Sequence, residues 1–295
     1  MSTASRSDSI GGGGRATGGR KDAYFRGKVC VITGAGSGIG RALAENLARR
    51  GAKLALSDID KEGLAETVRR CEKFGAEVKS DRLDVAEREA VLLYADEVKK
   101  HFGVVHQIYN NAGIAHYGDV MKSSFKDVER IMDVDFWGVV NGTKAFLPYL
   151  VESGAGHVVN VSSLFGIIAI PGQSAYNAAK FAVRGFTEAL RQEMLVEKAP
   201  VKVTCVHPGG IKTAVARNST VVEGVDQRSA AALFDKYLAI HTPEMAAETI
   251  TEGVRKGHGR VLIGWEARLL DALVRTTGAG YHRLVAFTTR GFLPR

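Results

Sequence analysis

Tyr176 and Lys180 stand four residues apart in Ser174-Ala175-Tyr176-Asn177-Ala178-Ala179-Lys180. On a helix that spacing brings a phenol and an ammonium to one face, one turn apart. A tyrosine ordinarily titrates near pH ~10, too high to exchange protons at neutrality, and a cation beside it favours the phenolate. Lys180 is therefore expected to draw the Tyr176 pKa down, making the phenol a proton donor and acceptor. Carbonyl reduction or alcohol oxidation needs such a group. A hydroxyl pair, Ser162-Ser163, lies thirteen residues upstream of the tyrosine, counted from Ser163.

The elements that must position this pair begin near residue 27. Gly27-Lys28-Val29-Cys30-Val31-Ile32 reads as a buried strand and runs into Thr33-Gly34-Ala35-Gly36-Ser37-Gly38-Ile39-Gly40. Arg41 to Ala48 then has helical character. Strand, glycine-rich turn and helix start in that order form the phosphate-binding corner of a dinucleotide fold. Its helix N-terminus offers unpaired N–H groups and a partial positive charge to a pyrophosphate. The next strand ends at Asp58, where an acidic residue meets the adenosine ribose. A carboxylate there accepts from both ribose hydroxyls and repels a 2′-phosphate. No arginine follows it, since residue 59 is Ile59, and Ser37 adds no cation. NAD is thus expected in preference to NADP.

The chain resembles the single-domain branch of the short-chain dehydrogenase/reductase family over about residues 27 to 264. The resemblance rests on Thr33-Gly34-x-x-x-Gly38-x-Gly40, Asp84-Val85, Asn110-Asn111-Ala112-Gly113, Ser163, Tyr176-x-x-x-Lys180 and Pro208-Gly209-Gly210-Ile211-Lys212-Thr213. It implies that Thr33, Gly34, Gly36, Ser37, Gly38, Ile39 and Gly40 wrap the cofactor, and that Asp84 with Val85 holds the adenine end. It further implies that Asn111 and Gly113 line the cleft, that Pro208, Gly209 and Ile211 also bind the cofactor, and that Thr213 contacts the nicotinamide carboxamide. Ser163, rather than Ser162, matches the family's catalytic serine, and Lys180 would also anchor the nicotinamide ribose. Asp135 stands where the family usually has asparagine. An aspartate there keeps the main-chain carbonyl and favours a charged Lys180 if the two are close.

Seven candidate strands, near 28–32, 53–57, 76–80, 105–109, 156–161, 201–206 and 260–263, alternate with helical segments. That order predicts an α/β, Rossmann-like, doubly wound parallel sheet with helices on both faces. The glycine turn, Asp58, Asn111, Ser163 and Pro208 should all lie at carboxyl ends of strands. Three regions are expected: a disordered basic Gly/Ser-rich tail at 1–24, a catalytic domain at 25–264 and a basic amphipathic extension at 265–295. Residues 1–28 carry six basic side chains against two acidic, and 255–295 carry eight against two, so the formal charge of +8 belongs to the two ends. No nucleic-acid module is present, and the charge reads as tails.

Three cysteines, Cys30, Cys71 and Cys205, are well separated and odd in number, which suggests a reducing compartment without a disulfide framework. No apolar run approaches a membrane span, no secretory leader is evident, and the cytoplasm is expected. The histidines show no metal-ligand spacing, so no metal is expected, and His207 reads as a strand-end residue. In the extension, Ala267, Leu269, Leu270, Leu273 and Val274 share a helical face. That face would pack on the subunit or a neighbouring subunit, or touch anionic lipid.

The functional expectation is NAD(H)-favouring interconversion of an apolar secondary alcohol and ketone. Leu164, Phe165, Ile167, Ile168 and Ile170 are candidates to face the substrate, and the segment from Thr213 to about Ile240 would cover it. A homodimer or homotetramer is expected, with Phe181, Val183, Phe186, Ala189 and Leu190 supplying more apolar surface than one core stripe needs. The alternatives are an NADPH-dependent 3-oxoacyl-type reductase and a non-catalytic dinucleotide-binding protein.

Overall fold

The computed structural model describes residues 23–213, 219–224, 226–227 and 240–289. Strand β1 (Val29–Thr33) is buried along its whole length. A strand with neighbours on both sides and helices on both faces loses the in–out alternation of a half-exposed strand, so it reads as an unbroken apolar run. It leads through the glycine turn into α1 (Gly38–Arg49). There follow β2 (Lys53–Asp58), α2 (Lys61–Glu72), β3 (Val78–Arg82), α3 (Arg88–Phe102) and β4 (Gln107–Asn110). A short β5 (His116–Tyr117) and α4 (Phe125–Met132) come next, then a π-helical turn, Asp133–Trp137, and α5 (Gly138–Glu152). The second half comprises β6 (Gly156–Val161), α6 (Ser174–Val196), β7 (Val201–Pro208), β8 (Thr220–Val221), α7 (Pro243–Lys256), β9 (Arg260–Ile263), α8 (Trp265–Thr277) and α9 (Tyr281–Thr289).

Seven strands form one sheet in the order β3-β2-β1-β4-β6-β7-β9. Every neighbouring pair is parallel. The expected fold class and all seven expected strands are present. The strand order reverses between β1 and β4, and the crevice above such a reversal is where open α/β sheets take ligands. A second, two-stranded sheet pairs β5 with β8, His116 opposite Thr220. Nothing in the hydrophobic pattern announces these two-residue strands.

Local signals set the helix ends. Asp60 caps α2 by accepting from the N–H groups of Glu62 and Gly63. Thr242 caps α7, Pro243 opens it, and Gly257 closes it at φ 71°. The edge strand β3 carries Lys79, Asp81 and Arg82, charges that discourage further strand pairing.

One side of the sheet buries Leu43, Leu47, Leu54, Leu56, Ile250 and Val254. The other buries Val91, Tyr94, Phe146, Leu150 and Leu190. Within this core runs a polar chain. Asn110 donates to Thr143 Oγ1 at 3.0 Å and to Asn160 Oδ1 at 2.8 Å, and Asn160 donates to Thr187 Oγ1 at 3.0 Å. Buried polar groups cost free energy unless they are partnered. Meeting that demand locks α5 and α6 to β4 and β6 at one axial position, which fixes where the α6 face carrying Tyr176 and Lys180 points.

The tail expected at 1–24 falls outside the described residues except for its last two. There Tyr24 packs edge-on against the buried Phe25 at 4.8 Å, so the packed core starts slightly before residue 25. At the other end, Ala267 and Tyr281 bury against Leu164 and Ile168, which seats α8 and α9 on the loop after β6. Among the described residues no helix is long and apolar enough to cross a membrane.

Candidate active site

The cofactor side is built at the parting of β1 and β4. Thr33 Oγ1 accepts from the N–H groups of Asn111 and Ala112, both at 3.1 Å. The Asn111 amide donates to the carbonyls of Thr33 at 3.0 Å and Gly34 at 3.2 Å. A Cβ on Gly40 would lie 2.0 Å from the Gly34 carbonyl oxygen, so only glycine lets α1 start this close. Ser37, at the N-cap of α1, makes no side-chain cap bond. The first N–H groups of the helix therefore remain for a ligand, as an anion site requires. Gly38 faces Thr213, whose methyl lies 3.2 Å from where a Cβ would be. A cavity of about 400 Å³ opens here, lined by Ser37, Gly38, Arg41, Lys212, Thr213 and Glu244 among others.

Asp58 accepts from the Gly36 N–H at 2.7 Å and from the Asp60 N–H at 2.9 Å. A carboxylate has about four lone-pair sites, so two stay open for ribose hydroxyls. The structure adds a cation that the sequence reading did not weigh. Arg41 donates to the carbonyl of Gly36, to that of Gly63 and to Thr67 Oγ1. The same glycine is thus held at its N–H by a carboxylate and at its carbonyl by a guanidinium. Asp84 Oδ1 accepts from the Ala86 N–H at 3.0 Å, and the Val85 carbonyl accepts from Asn141 at 3.0 Å. Glycine cradle, uncapped helix and acidic strand end together fit a nicotinamide dinucleotide.

Across the cleft, the structure brings Ser163, Tyr176 and Lys180 together. The Ser163 hydroxyl accepts from the Phe165 N–H at 3.1 Å, and it is near enough to Tyr176 to lower the phenol's pKa. Lys180 Nζ lies 5.5 Å from the centre of the Tyr176 ring and 3.2 Å from Asp135 Oδ2. Asp135 is fully buried, and its Oδ1 accepts from the Ile114 N–H at 2.8 Å. Its Oδ2 makes no well-aligned hydrogen bond, so the contact with Lys180 is chiefly ionic. Gly113 floors this corner, since a Cβ there would lie 3.3 Å from Lys180 Nζ. Ser162 is different: its hydroxyl is buried and donates to the Lys180 carbonyl at 2.8 Å, bracing the helix.

Three charges compete at the phenol. Burial disfavours the Lys180 cation, but Asp135 and Tyr176 outweigh it and hold the ammonium above its ordinary value. Burial lifts the Asp135 carboxyl, and Lys180 only partly pulls it back. For Tyr176, burial raises the pKa, Lys180 lowers it, Asp135 raises it and the Ser163 hydroxyl lowers it; the sum is upward. This corrects the expectation of a depressed tyrosine. The lysine acts in the expected direction, yet desolvation and the carboxylate at its shoulder exceed it. In this state Tyr176 is a neutral phenol, poised to donate.

Several supporting residues were not foreseen. Asn177 donates to the carbonyls of Phe165 at 3.0 Å and Ile168 at 3.4 Å and accepts from the Ile170 N–H at 3.2 Å, pinning the loop after Ser163 to α6. Tyr281 accepts from the Ala169 N–H at 3.2 Å. His207 is buried, its pKa pushed down to about 4 mainly by desolvation, and its Nδ1–H donates to the Ser163 carbonyl at 3.0 Å. Of the loop residues, Phe165 meets the Tyr176 ring edge-on at 6.2 Å, whereas Leu164 and Ile168 pack against the carboxyl-terminal helices. Among the described residues no His, Cys, Asp and Glu cluster is suited to a metal. Most of the expected substrate-covering segment, residues 214–218 and 228–239 included, lies outside the described residues.

A cleft of this build, at the reversal of a doubly wound sheet, defines a dinucleotide-binding α/β protein. The family model for short chain dehydrogenases matches residues 28–223, and the chain belongs to that family. It is 70% identical over 270 residues to the oxidoreductase SadH of Mycobacterium tuberculosis, covering 92% of this chain and 98% of that protein. It is 37% identical over 199 residues to estradiol 17-beta-dehydrogenase 11 of Macaca fascicularis, covering 67% of this chain and 66% of that protein. A short chain dehydrogenase/reductase from Burkholderia phymatum, solved in complex with NAD, superposes with a TM-score of 0.78 at 29% identity, covering 92% of this chain and 99% of that one. Family membership makes this protein an oxidoreductase acting on CH–OH donors.

Asp135→Asn keeps an acceptor for the Ile114 N–H but removes the charge that raises Tyr176. With Tyr176 as base, oxidation gains rate as pH rises through its pKa. The ascending limb of kcat against pH should therefore move to lower pH in the variant. A limb that stays in place would show that the carboxylate does not act on the phenol.

Proposed function

We propose that the protein interconverts an apolar secondary alcohol and its ketone with NAD(H), using Tyr176 as the proton-transferring group. The observation that carries this reading is the convergence of Ser163, Tyr176 and Lys180 beyond the carboxyl end of β6, in a sheet whose β1 leads into the uncapped start of α1. Ser163 fixes the substrate oxygen by donating to it. In reduction, Tyr176 gives its phenolic proton to that oxygen; in oxidation, the phenolate takes it back. Lys180 offsets the phenolate's charge and would anchor the nicotinamide ribose, and Asp135 keeps the lysine ionised. A nicotinamide bound in the cleft supplies the hydride. The apolar substrate class is supported by Phe165 beside the phenol. The steroid named in estradiol 17-beta-dehydrogenase 11 is an alcohol of that chemistry.

Intact Ser163, Tyr176 and Lys180 speak against a non-catalytic role, and Asp58 against an NADPH-dependent acyl reductase. Three free buried cysteines, with thiols pushed up to about 12 chiefly by desolvation, fit a reducing cytoplasm. Self-association fits the partly exposed Phe181 and Trp137, though Val183 and Leu190 are spent on the core.

Tyr176→Phe should lower kcat by at least ~100-fold while NADH binding persists, the lower end for a general acid–base group. Ser163→Ala should also lower kcat. Ser162→Ala should instead lower the melting temperature, by about 1 kcal/mol of stability for one buried hydrogen bond, with little change in kcat. Wild-type turnover in the phenylalanine variant would remove Tyr176 from the mechanism.

For the cofactor, Asp58→Ala combined with Ile59→Arg should raise the NADP/NAD ratio of kcat/KM. Ile59 is exposed and can carry a guanidinium towards the ribose. The ratio is the useful readout, because losing the Gly36 bond weakens both cofactors. Equal wild-type affinity for NADH and NADPH would overturn the role given to Asp58.

The outer face of the extension exposes Trp265, Leu269, Leu284 and Phe287 beside Arg268 and Arg283, which form no ion pair among the described residues. Contact with an anionic lipid surface fits this composition. Such contact requires sedimentation with phosphatidylglycerol vesicles, weakened by salt and by Leu269→Glu with Phe287→Glu. Equal recovery in the supernatant with and without vesicles would remove lipid as a partner.

A further inference from the structure

The loop that delivers Thr213 to the cleft is held from behind by the carboxyl-terminal extension. Glu266, in the first turn of α8, accepts from the Gly210 N–H through Oε1 at 3.3 Å. Its Oε2 accepts from His241 Nε2 at 2.9 Å. Both partners are largely buried, with 14% of the Glu266 and 19% of the His241 side chain exposed. The carboxylate fills space that two glycines leave open. A Cβ on Gly209 would lie 2.1 Å from Oε1, and one on Gly264, where φ is +95°, would lie 2.3 Å from it. His241 is itself tied to the loop: its N–H and that of Ile240 donate to the Gly210 carbonyl, both at 3.0 Å, and its carbonyl accepts from the Lys212 N–H at 2.9 Å. The stretches 209–212, 240–241 and 264–266 thus form one knot directly behind Thr213. Thr213 in turn lies against Gly38 of the phosphate-binding turn.

We infer that Glu266 is a positioning residue for the dinucleotide: its carboxylate, with His241, sets the height of the 209–213 loop over the glycine turn. Through it the affinity of the cofactor site depends on the carboxyl-terminal extension. The inference rests on the dinucleotide reading of the cleft. It assigns Glu266 no contact with substrate or hydride. A misplaced loop costs binding wherever the loop meets the ligand, whereas Ser163, Tyr176 and Lys180 belong to other elements and keep their mutual geometry. The signature is therefore a separation of cofactor affinity from turnover.

The test uses the full chain and measures NADH affinity directly, by calorimetry and by energy transfer from tryptophan to the dihydronicotinamide, beside KM and kcat at saturation. Glu266→Asp keeps the charge but withdraws it by one methylene, beyond reach of Gly210. It should weaken NADH binding about tenfold, the effect of one charge-assisted hydrogen bond, with kcat changed less than about twofold. Glu266→Gln keeps the length and an acceptor for Gly210 and should stay within about threefold of wild type. Arg268→Ala, an exposed change on the same helix, should not alter binding. Unchanged NADH affinity in Glu266→Asp overturns the inference. So does equal damage in the aspartate and glutamine variants, or a loss of kcat in step with affinity. Should Glu266→Asp fail to fold, His241→Ala serves the same comparison, with weakened NADH binding at unchanged kcat expected and unchanged binding overturning the inference. Wild-type protein that bound neither NADH nor NADPH would instead defeat the dinucleotide reading itself.

Discussion

Four hydrogen bonds where β1 and β4 part organise the remainder of the site. The two strands run in register as far as Ile32 opposite Tyr109 and then diverge. Their backbones would leave polar groups unpaired at that point, which a folded interior does not tolerate. Thr33 and Asn111 meet the demand by side chain, each bonding twice to the other's strand end. Once those ends are fixed, the glycine turn has one place to go and α1 starts over the crevice. On the other arm, Asn111 leads within three residues to Ile114, whose N–H holds Asp135 against Lys180. The glycine turn and the Lys180–Asp135 pair thus share a common origin in the sheet, although they are far apart in the chain.

The buried pair of Lys180 and Asp135 shows how one substitution redistributes charge without altering the frame. A neutral amide at residue 135 would leave the lysine's field directed at the phenol. The carboxylate takes part of that field, keeps the lysine ionised in a site that disfavours ions, and leaves Tyr176 less acidic. Breaking a buried pair by removing one partner is costly, so residues 135 and 180 answer to each other before they answer to substrate. The π-helical turn at Asp133–Trp137 delivers the carboxylate, and such turns concentrate at functional sites.

The sequence made the sheet and the principal groups legible because both leave periodic or spaced signals. Buried parallel strands such as β1 read as apolar runs, Val29 to Ile32 being unbroken, and Tyr176 with Lys180 lies on one helical face. What stayed hidden depends on distance between elements. Nothing near Asn177 shows that its amide will bridge Phe165, Ile168 and Ile170. The downward shift assigned to Tyr176 failed because the reading counted a neighbouring charge and could not count burial. Ser162 and Ser163 look alike as a dipeptide just past the end of β6; only their partners separate them, the Ser162 hydroxyl bracing the Lys180 carbonyl and the Ser163 hydroxyl accepting from the Phe165 N–H. Two-residue strands such as β5 and β8 carry too few side chains for any pattern.

The contacts made by Glu266 and Tyr281 also order events in time. Chains emerge from the ribosome amino end first, and sheets close as their strands appear. Here the strands through β9, the glycine turn and Tyr176 with Lys180 are all synthesised before Tyr281 can bond Ala169, and Gly210 must wait for Glu266. Until residues 266 and 281 have emerged, the loops on both sides of the cleft lack these supports. Scaffold and loop supports thus come from different stretches of the polypeptide, the supports from residues that follow the last strand of the sheet.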